Sequence, residues 1–476
     1  MRTIAEVVAR NARAHPDGVA FVEAASGESM TWHEYDTRSS LMTGTLDSFE
    51  AGDRVALQLP DGPGVHAAML ACEKAGIVAV GIGARAGERE VAHLVERAGA
   101  RALLREPPAL AGDGREHPIG PEELWYLNST SGTTGLPKMV MHTQARWFAF
   151  HEFAHRVAHF TADDVFLSAL PAPFGFGLWT AHFSPAIAVA TCVACARFDA
   201  ALVLRAIERY RVTVLAAVST QFVMMLNSPA LAEYDLSSLR IMFTGGEMVP
   251  FERAKEFEDR TGARVLQFYG SNETGALSCT TPDDPQTKRL RTAGRVIPEM
   301  HVRLLDADTG ADITAPGRPG VPAGKGPALC VGYYDDPAAN AQLFTADGWM
   351  RMGDLATIDE DGYLTVVGRT SDIIIRGGKN ISAAQVEDEV SSHPAIALCA
   401  AVAVRDETFG ERVCAFVEMR AGCERITLDA LRAHLEHRGT GKELWPERLV
   451  VVDTLPRSSG GKLAKGELRA SAQGLT

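Results

Sequence analysis

Apolar residues along this chain alternate between two spacings, unbroken runs of four to seven and the three-to-four-residue repeat of an amphipathic helix. Each change of spacing marks a predicted boundary between a buried strand and a helix. In MRTIAEVVARNARAHPD, Ile4, Val7, Val8 and Ala12 share one helical face. DRVALQLP reads as a buried strand ending at Pro60, VHAAMLACEKAG as a helix stopped by Gly76, and IVAVGIG as the next strand. EREVAHLVERAGA is a helix with Val91, Leu94 and Val95 inward, and ARALL restarts a strand. The rhythm returns between about residues 160 and 275, with ALVLRAIERYR and FERAKEFEDRTG as helices and VTVLAAV, RIMFTGG and RVLQFYG as strands. Such βαβα alternation predicts a mostly parallel, helix-covered sheet. Three of its strands are expected to end at Ser219, at Thr244-Gly245-Gly246 and at Tyr269-Gly270-Ser271. Ligands of open α/β sheets sit at such carboxyl ends.

From about 280 to 345 Pro and Gly become dense, as in TAPGRPGVPAGKGP, and a small β-rich subdomain is expected. GYLTVVGR then reads as a strand. Beyond Arg369, DIIIRG, ALCAAVAV, VCAFVEM and LVVVD read as strands, and AAQVEDEVSSH and LDALRAHLEHR as helices. That stretch of about 100 residues has the size of a separate α+β domain. The fold class is therefore α/β, a large N-terminal part of helix-covered sheets with a β-rich subdomain, followed by a small α+β part.

At 476 residues the chain is too long for one core. Its formal net charge of −13 argues against a nucleic-acid partner, which needs clustered Lys and Arg. Eight cysteines are too few for a disulfide framework in a chain of this size. The Cys192-Val-Ala-Cys195 pair lies in the apolar run AIAVATCVACARF and reads as small residues on a buried strand rather than a metal site. The N-terminus lacks an apolar signal region, and no run of about 18 apolar residues occurs, so a cytoplasmic protein without a membrane span is expected.

Four segments carry candidate chemistry. Ser129-Thr-Ser-Gly-Thr-Thr-Gly-Leu-Pro-Lys138 combines glycines, hydroxyls and a lysine, the groups that wrap a polyphosphate. It is not the Walker pattern, because Met-Val-Met follows Lys138. In Tyr269-Gly-Ser-Asn-Glu-Thr-Gly275, Tyr269 can stack on a planar base, Gly270 leaves room for it, and Glu273 is a hard oxygen ligand for Mg2+. A tight turn capping a helix explains the same residues equally simply. Asp354, in Trp349-Met-Arg-Met-Gly-Asp, suits two ribose hydroxyls. Ser458-Ser-Gly-Gly-Lys462 ends a glycine-bearing loop in a lysine.

In order, TSGTTGLPK, YGSNETG, GWMRMGD, GRTSD and PRSSGGK resemble the adenylate-forming superfamily of acyl-CoA synthetases, carrier-protein adenylation domains and luciferases, across essentially the whole chain. The resemblance implies an N-terminal domain (1–368), a hinge (369–371) and a mobile C-terminal lid (372–476). It implies ATP, Mg2+ and CoA as co-substrates of a small carboxylic acid, which is first joined to AMP with loss of pyrophosphate and then passed to a thiol. Thr130, Ser131, Gly132, Thr133, Thr134, Gly135 and Lys138 match the phosphate loop, Tyr269 the adenine platform, Glu273 the magnesium ligand, Asp354 and Arg369 the ribose contacts, and Lys462 the adenylation lysine. Gly245, Gly246, Glu247, Gly270, Asn272 and Thr274 complete the implied AMP site. Gly377, Gly378 and Lys379 line the implied pantetheine tunnel, and Ser371 is the hinge. Three positions depart from the family: Asn272 replaces the usual threonine, Ser371 the usual Asp or Lys, and Phe174 a frequent histidine.

Phe174, Phe176, Phe222 and Phe268 are expected to line an apolar acyl pocket, and no carboxylate is placed for an α-amino group. AVGIGARAGEREVAHLVERAGA and WPERLVVVDTLPRSSGGK resemble ligases for alicyclic, aryl or medium-chain acids. A CoA ligase is the leading reading, with Arg376, Lys379 and Lys442 as cations for CoA. A stand-alone enzyme loading an acyl carrier protein, a variant performing one half-reaction, a luciferase-type oxygenase and a silent binding module are the alternatives. Either a monomer or a homodimer fits.

Overall fold

The computed structural model describes residues 2–112, 114, 116–130, 137–247, 249–369, 372–377, 379–406, 408–457 and 463–474, without the side chains of Arg369 and Asn380. Among the described residues the strands form five sheets, and the two largest hold most of the parallel strands. In the nine-stranded sheet, six neighbouring strands run parallel: Arg264–Ser271, Ile241–Gly245, Val214–Ala216, Val165–Ser168, Thr191–Ala194 and Val19–Glu23. In the six-stranded sheet, Tyr126–Ser129, Val78–Gly81, Arg54–Leu57 and Ala102–Leu104 are parallel. Met139–His142 returns antiparallel beside Tyr126–Ser129, so the hydroxyl-rich loop joins two hydrogen-bonded strands.

The helices follow the periodicity. Thr3 and Glu6 form a capping box for helix Ile4–Ala14, which buries Ile4, Val7, Val8 and Ala12. Helix Pro63–Lys74 ends before Gly76, whose φ of +75° is left-handed and favours glycine. The run AIAVATCVACARF holds the end of helix Ser184–Ala188 and the strand Thr191–Ala194, which carries Cys192 and ends just before Cys195. One expectation fails: Ser219 does not end a strand. Val214–Ala216 stops earlier, and Ser219 opens helix Ser219–Asn227. Cys192 and Cys195 are free and buried, as the apolar reading requires, and burial pushes the Cys195 thiol up to about 12.

Residues 280–351 contribute a four-stranded antiparallel sheet built on His301–Leu305 and Val321–Lys325. The five-stranded C-terminal sheet is centred on the long pair Ile396–Asp406 and Gly410–Met419. One face of that pair joins the core around helix Ser219–Asn227, through Leu398, Ala400, Val402 and Phe416. Among the described residues no helix is long and apolar enough to cross a membrane.

The strand that carries Tyr269 starts from a buried ion pair. Arg289 grips both oxygens of Glu258 at 2.7 and 2.8 Å, and Glu258 also accepts from the backbone N–H of Val265 at 2.8 Å. Both side chains are nearly inaccessible, at 2% and 5% exposure, so neither charge can be left alone. Glu258→Ala is expected to cost about 3–5 kcal/mol, read as a lowered urea midpoint. Glu258→Leu with Arg289→Met should recover most of that loss in the same titration.

Candidate functional site

The carboxyl ends of two parallel strands, Tyr126–Ser129 and Arg264–Ser271, carry two of the sequence motifs. At the phosphate-type loop the chain leaves strand Tyr126–Ser129 at Thr130 and re-enters at Lys138. The Thr130 N–H donates to the Lys138 carbonyl at 3.0 Å, and the Lys138 N–H donates to the Thr130 hydroxyl at 3.4 Å. The expected contacts Ser131, Gly132, Thr133, Thr134 and Gly135 lie outside the described residues, as do Ser371, Gly378 and Lys462. The Lys138 ammonium lies 4.8 Å from the ring centre of Tyr333, and the Tyr333 hydroxyl donates to Glu273 Oε1 at 2.8 Å. Tyr333 therefore links the lysine of one motif to the carboxylate of another. Burial beside Glu273 holds its phenol well above the usual range.

Glu273 sits in the turn between Arg264–Ser271 and the antiparallel strand Gly275–Cys279, so the segment is a hairpin and caps no helix. The Thr274 hydroxyl accepts from the Ser271 N–H at 2.9 Å and holds that turn. Gly270 is required by the hairpin itself: a Cβ there would lie 1.7 Å from the Gly275 carbonyl oxygen. A Cβ on Gly245 would lie 2.4 Å from the Phe268 carbonyl oxygen, so both glycines permit close strand approach. The Glu247 carboxylate accepts from the Thr220 N–H at 2.9 Å, at the start of helix Ser219–Asn227.

The Tyr269 hydroxyl donates to Asp354 Oδ2 at 3.0 Å, across 85 residues of sequence. Asp354 in turn faces Arg369 in the antiparallel pair Asp354–Ile358 and Leu364–Arg369. The candidate base platform and both ribose candidates thus share one corner. Phe268, the residue before Tyr269, points into a cluster of rings instead. Trp179 is the centre of that cluster, with ring centroids 4.5 Å from Phe150, 5.1 Å from Phe243, 5.3 Å from Phe268 and 5.6 Å from Phe176. Phe222 is not part of it. It is fully buried in the other core, 5.8 Å from Phe257, because helix Ser219–Asn227 turns it away. Phe174 is half-buried, and its ring lies against Gly83.

Gly377 donates its N–H to the Phe409 carbonyl at 2.8 Å, and the Lys379 side chain is exposed. Arg376 is ion-paired with Glu447, and Lys442 lies 5.7 Å from the ring centre of Trp445. Among the described residues no His, Cys, Asp and Glu cluster forms a multi-ligand metal site. A single carboxylate completed by phosphate oxygens suits Mg2+, which takes few protein ligands.

Sequence reasoning missed Tyr333, Trp179 and Asp61. Asp61 Oδ1 accepts from the Ala172 N–H at 2.6 Å and so holds the loop that leads to Phe174. Only a chain fold could join residues 111 positions apart.

A family model described as AMP-binding enzyme matches residues 8–116 and 105–334, and its C-terminal domain matches 385–462. The chain is 30% identical to the medium-chain fatty-acid–CoA ligase of Escherichia coli (strain K12), covering 98% of this chain and 90% of that one. It is 31% identical to a feruloyl-CoA synthase of Amycolatopsis sp, with 97% of each covered. The ATP-bound crystal structure of MatB from Rhodopseudomonas palustris superposes with a TM-score of 0.86 at 26% identity over 99% of each chain.

Burial raises the Asp61 carboxyl from 3.8 to about 7. The folded protein therefore holds this proton where the unfolded chain has lost it. Its contribution to stability is complete below about pH 4 and is lost as pH rises through about 7. Asp61→Asn keeps an oxygen for Ala172 but removes the titration. Its melting temperature should exceed that of the wild type at about pH 8, with the gap shrinking toward about pH 5, as followed by thermal unfolding at both values.

Proposed function

Since the chain belongs to the AMP-binding enzyme family and is an AMP-forming acid–thiol ligase acting with ATP and CoA, we propose that its acid is apolar, of the medium-chain, alicyclic or aryl type. The observation that carries this is the alternation at the end of strand Arg264–Ser271. Phe268 enters the ring cluster around Trp179, while Tyr269 turns to Asp354. An apolar acyl group and an adenosine are thereby set on neighbouring residues, as joining a carboxylate to the α-phosphorus demands. The relatives acting on medium-chain and feruloyl substrates support the same class.

In this reading Tyr269 stacks on adenine, and Asp354 with Arg369 takes the ribose. Thr130 and Lys138, with Ser131 to Gly135 between them, hold the β- and γ-phosphates. Glu273 would hold Mg2+, which supplies charge neutralisation on the phosphates when bound. A carboxylate oxygen of the acid attacks the α-phosphorus, and the bond to pyrophosphate breaks. Lys462 stabilises the charge that develops on the phosphoryl oxygens. The thiol sulfur of CoA then attacks the acyl carbon, entering along Gly377, Gly378 and Lys379, and AMP leaves. Residues 1–368 form the adenylating domain, and 372–476 form a lid that turns about Ser371 between the two steps. CoA rather than a carrier protein is the acceptor, and one chain holds every residue the reaction uses, so the reading requires no partner subunit.

The test is a carboxylic-acid panel with ATP, reading AMP release with and without CoA. Medium-chain and aryl acids should give AMP and acyl-CoA, whereas release only with a carrier protein would sink the CoA assignment. In pyrophosphate exchange, Lys462→Ala should lose about 10²- to 10³-fold. Equal exchange in both proteins removes Lys462 from the adenylating step.

A further inference from the structure

Between the loop carrying Glu273 and the loop carrying Phe174 lies a buried row of polar side chains that the mechanism above leaves unused. Asn128 and His142 are fully buried, and Arg146 is 2% exposed. Arg146, on helix Gln144–Ala158, spreads its donors over the His142 ring and backbone carbonyls. One terminal nitrogen lies 2.7 Å from His142 Nδ1 and donates to the Asn272 carbonyl at 3.0 Å. The other donates to the Glu273 carbonyl at 3.4 Å, and Nε donates to the Ala328 carbonyl at 2.9 Å.

A guanidinium can only donate, so His142 Nδ1 is the acceptor and the ring proton is on Nε2. Burial and the adjacent guanidinium hold the His142 pKa well below its usual value, so the ring stays neutral. Nε2–H then donates to Asn128 Oδ1 at 2.7 Å. That bond orients the Asn128 amide, whose Nδ2 donates to the Pro173 carbonyl at 3.0 Å and to Asn272 Oδ1 at 3.3 Å. Asn272 Nδ2 returns a bond to Asn128 Oδ1 at 2.6 Å. One line of donation thus leads from a buried charge through His142 and Asn128 to the carbonyl of Pro173, each bond polarising the next, while Asn128 and Asn272 exchange bonds in both directions. The two loops also touch: a Cβ on Gly175 would lie 2.8 Å from Asn272 Oδ1 and 3.1 Å from the Trp147 ring.

We propose that Arg146, His142 and Asn128 are positioning residues that hold the acyl loop Pro173–Gly175 at a set distance from the loop carrying Asn272 and Glu273, and so set the line of attack in the adenylating step. The proposal rests on the reading of Glu273 and of the acyl loop given above. Asn272 belongs to this row: its amide pairs with Asn128, which a threonine hydroxyl could do through only one group. A displacement of about 1 Å at reacting atoms costs on the order of 10²-fold in rate, so a relay that fixes two loops acts on turnover more than on binding.

The test compares Asn128→Leu, Arg146→Lys and Glu273→Gln with the wild type. The measurements are pyrophosphate exchange, thioester formation from supplied acyl-adenylate and CoA, and thermal unfolding. Arg146→Lys keeps the charge but cannot span the ring and three carbonyls, and it serves if Asn128→Leu fails to fold. The expected result is a fall of about 10- to 100-fold in exchange kcat with KM for ATP nearly unchanged, and near-normal thioester formation from the supplied adenylate. The Asn128→Leu and Asn272→Leu losses should also be non-additive when combined. Full exchange in the folded Asn128 and Arg146 variants, while Glu273→Gln is impaired, overturns the relay alone. Losses in both half-reactions that follow lost thermal stability also overturn it. Full exchange in Glu273→Gln overturns the site reading beneath it.

Discussion

A parallel strand reaches its neighbour only through a crossover on the face of the sheet, so all strands of a parallel run deliver their carboxyl ends to one edge. Six neighbouring strands of the larger sheet obey this constraint here, and four of the smaller one. The segments leaving that edge include Ala169–Phe174, Glu247 and the hairpin at Asn272 from one sheet and Thr130 from the other. Residues more than a hundred positions apart in sequence therefore meet without any long loop. The antiparallel return of Gly275–Cys279 and of Met139–His142 then closes the two turns that carry Glu273 and the phosphate-type loop.

Burial of charge is handled in two ways around this edge. Glu258 and Arg289 neutralise each other with bidentate geometry, and the pair also satisfies the N–H of Val265. Arg146 is held instead by three carbonyls and an imidazole, and burial lowers its pKa to about 10. The first arrangement secures the start of the strand bearing Tyr269. The second grips the turn at its far end, where it donates to the carbonyls of Asn272 and Glu273, the latter also held by the Cys330 N–H at 2.7 Å. A buried carbonyl without a donor is costly, so guanidinium and turn stabilise each other.

The ring cluster around Trp179 and the Tyr269–Asp354 pair are separated by one strand's pleat. Successive side chains point to opposite faces, so Phe268 reaches Trp179 while Tyr269 reaches Asp354. In the proposed reading, this pleat sets the acyl group and the nucleotide side by side without either intruding on the other. It also explains why glycine occupies positions 245 and 270, where neighbouring backbones approach too closely for a Cβ.

The order of strands and helices was legible in the sequence wherever one face was apolar and the other polar, as in Ile4–Ala14, Glu88–Ala98 and Ala200–Tyr210. Periodicity reports burial directly in such segments. It failed at Ser219, where residues 214–223 are buried on every side and no polar face marks the period. The chemical motifs were legible because glycines, hydroxyls and a lysine in one short loop are needed locally. Which rings meet was decided only by tertiary structure. Phe222 and Phe268 look alike in sequence, but a helix turns the first into another core and a strand end aims the second at Trp179. Likewise Asn128, His142, Arg146 and Tyr333 carry no local signal. A buried polar side chain acquires its role from its hydrogen-bond partner, and each of these finds at least one partner across a long stretch of sequence or across the sheet.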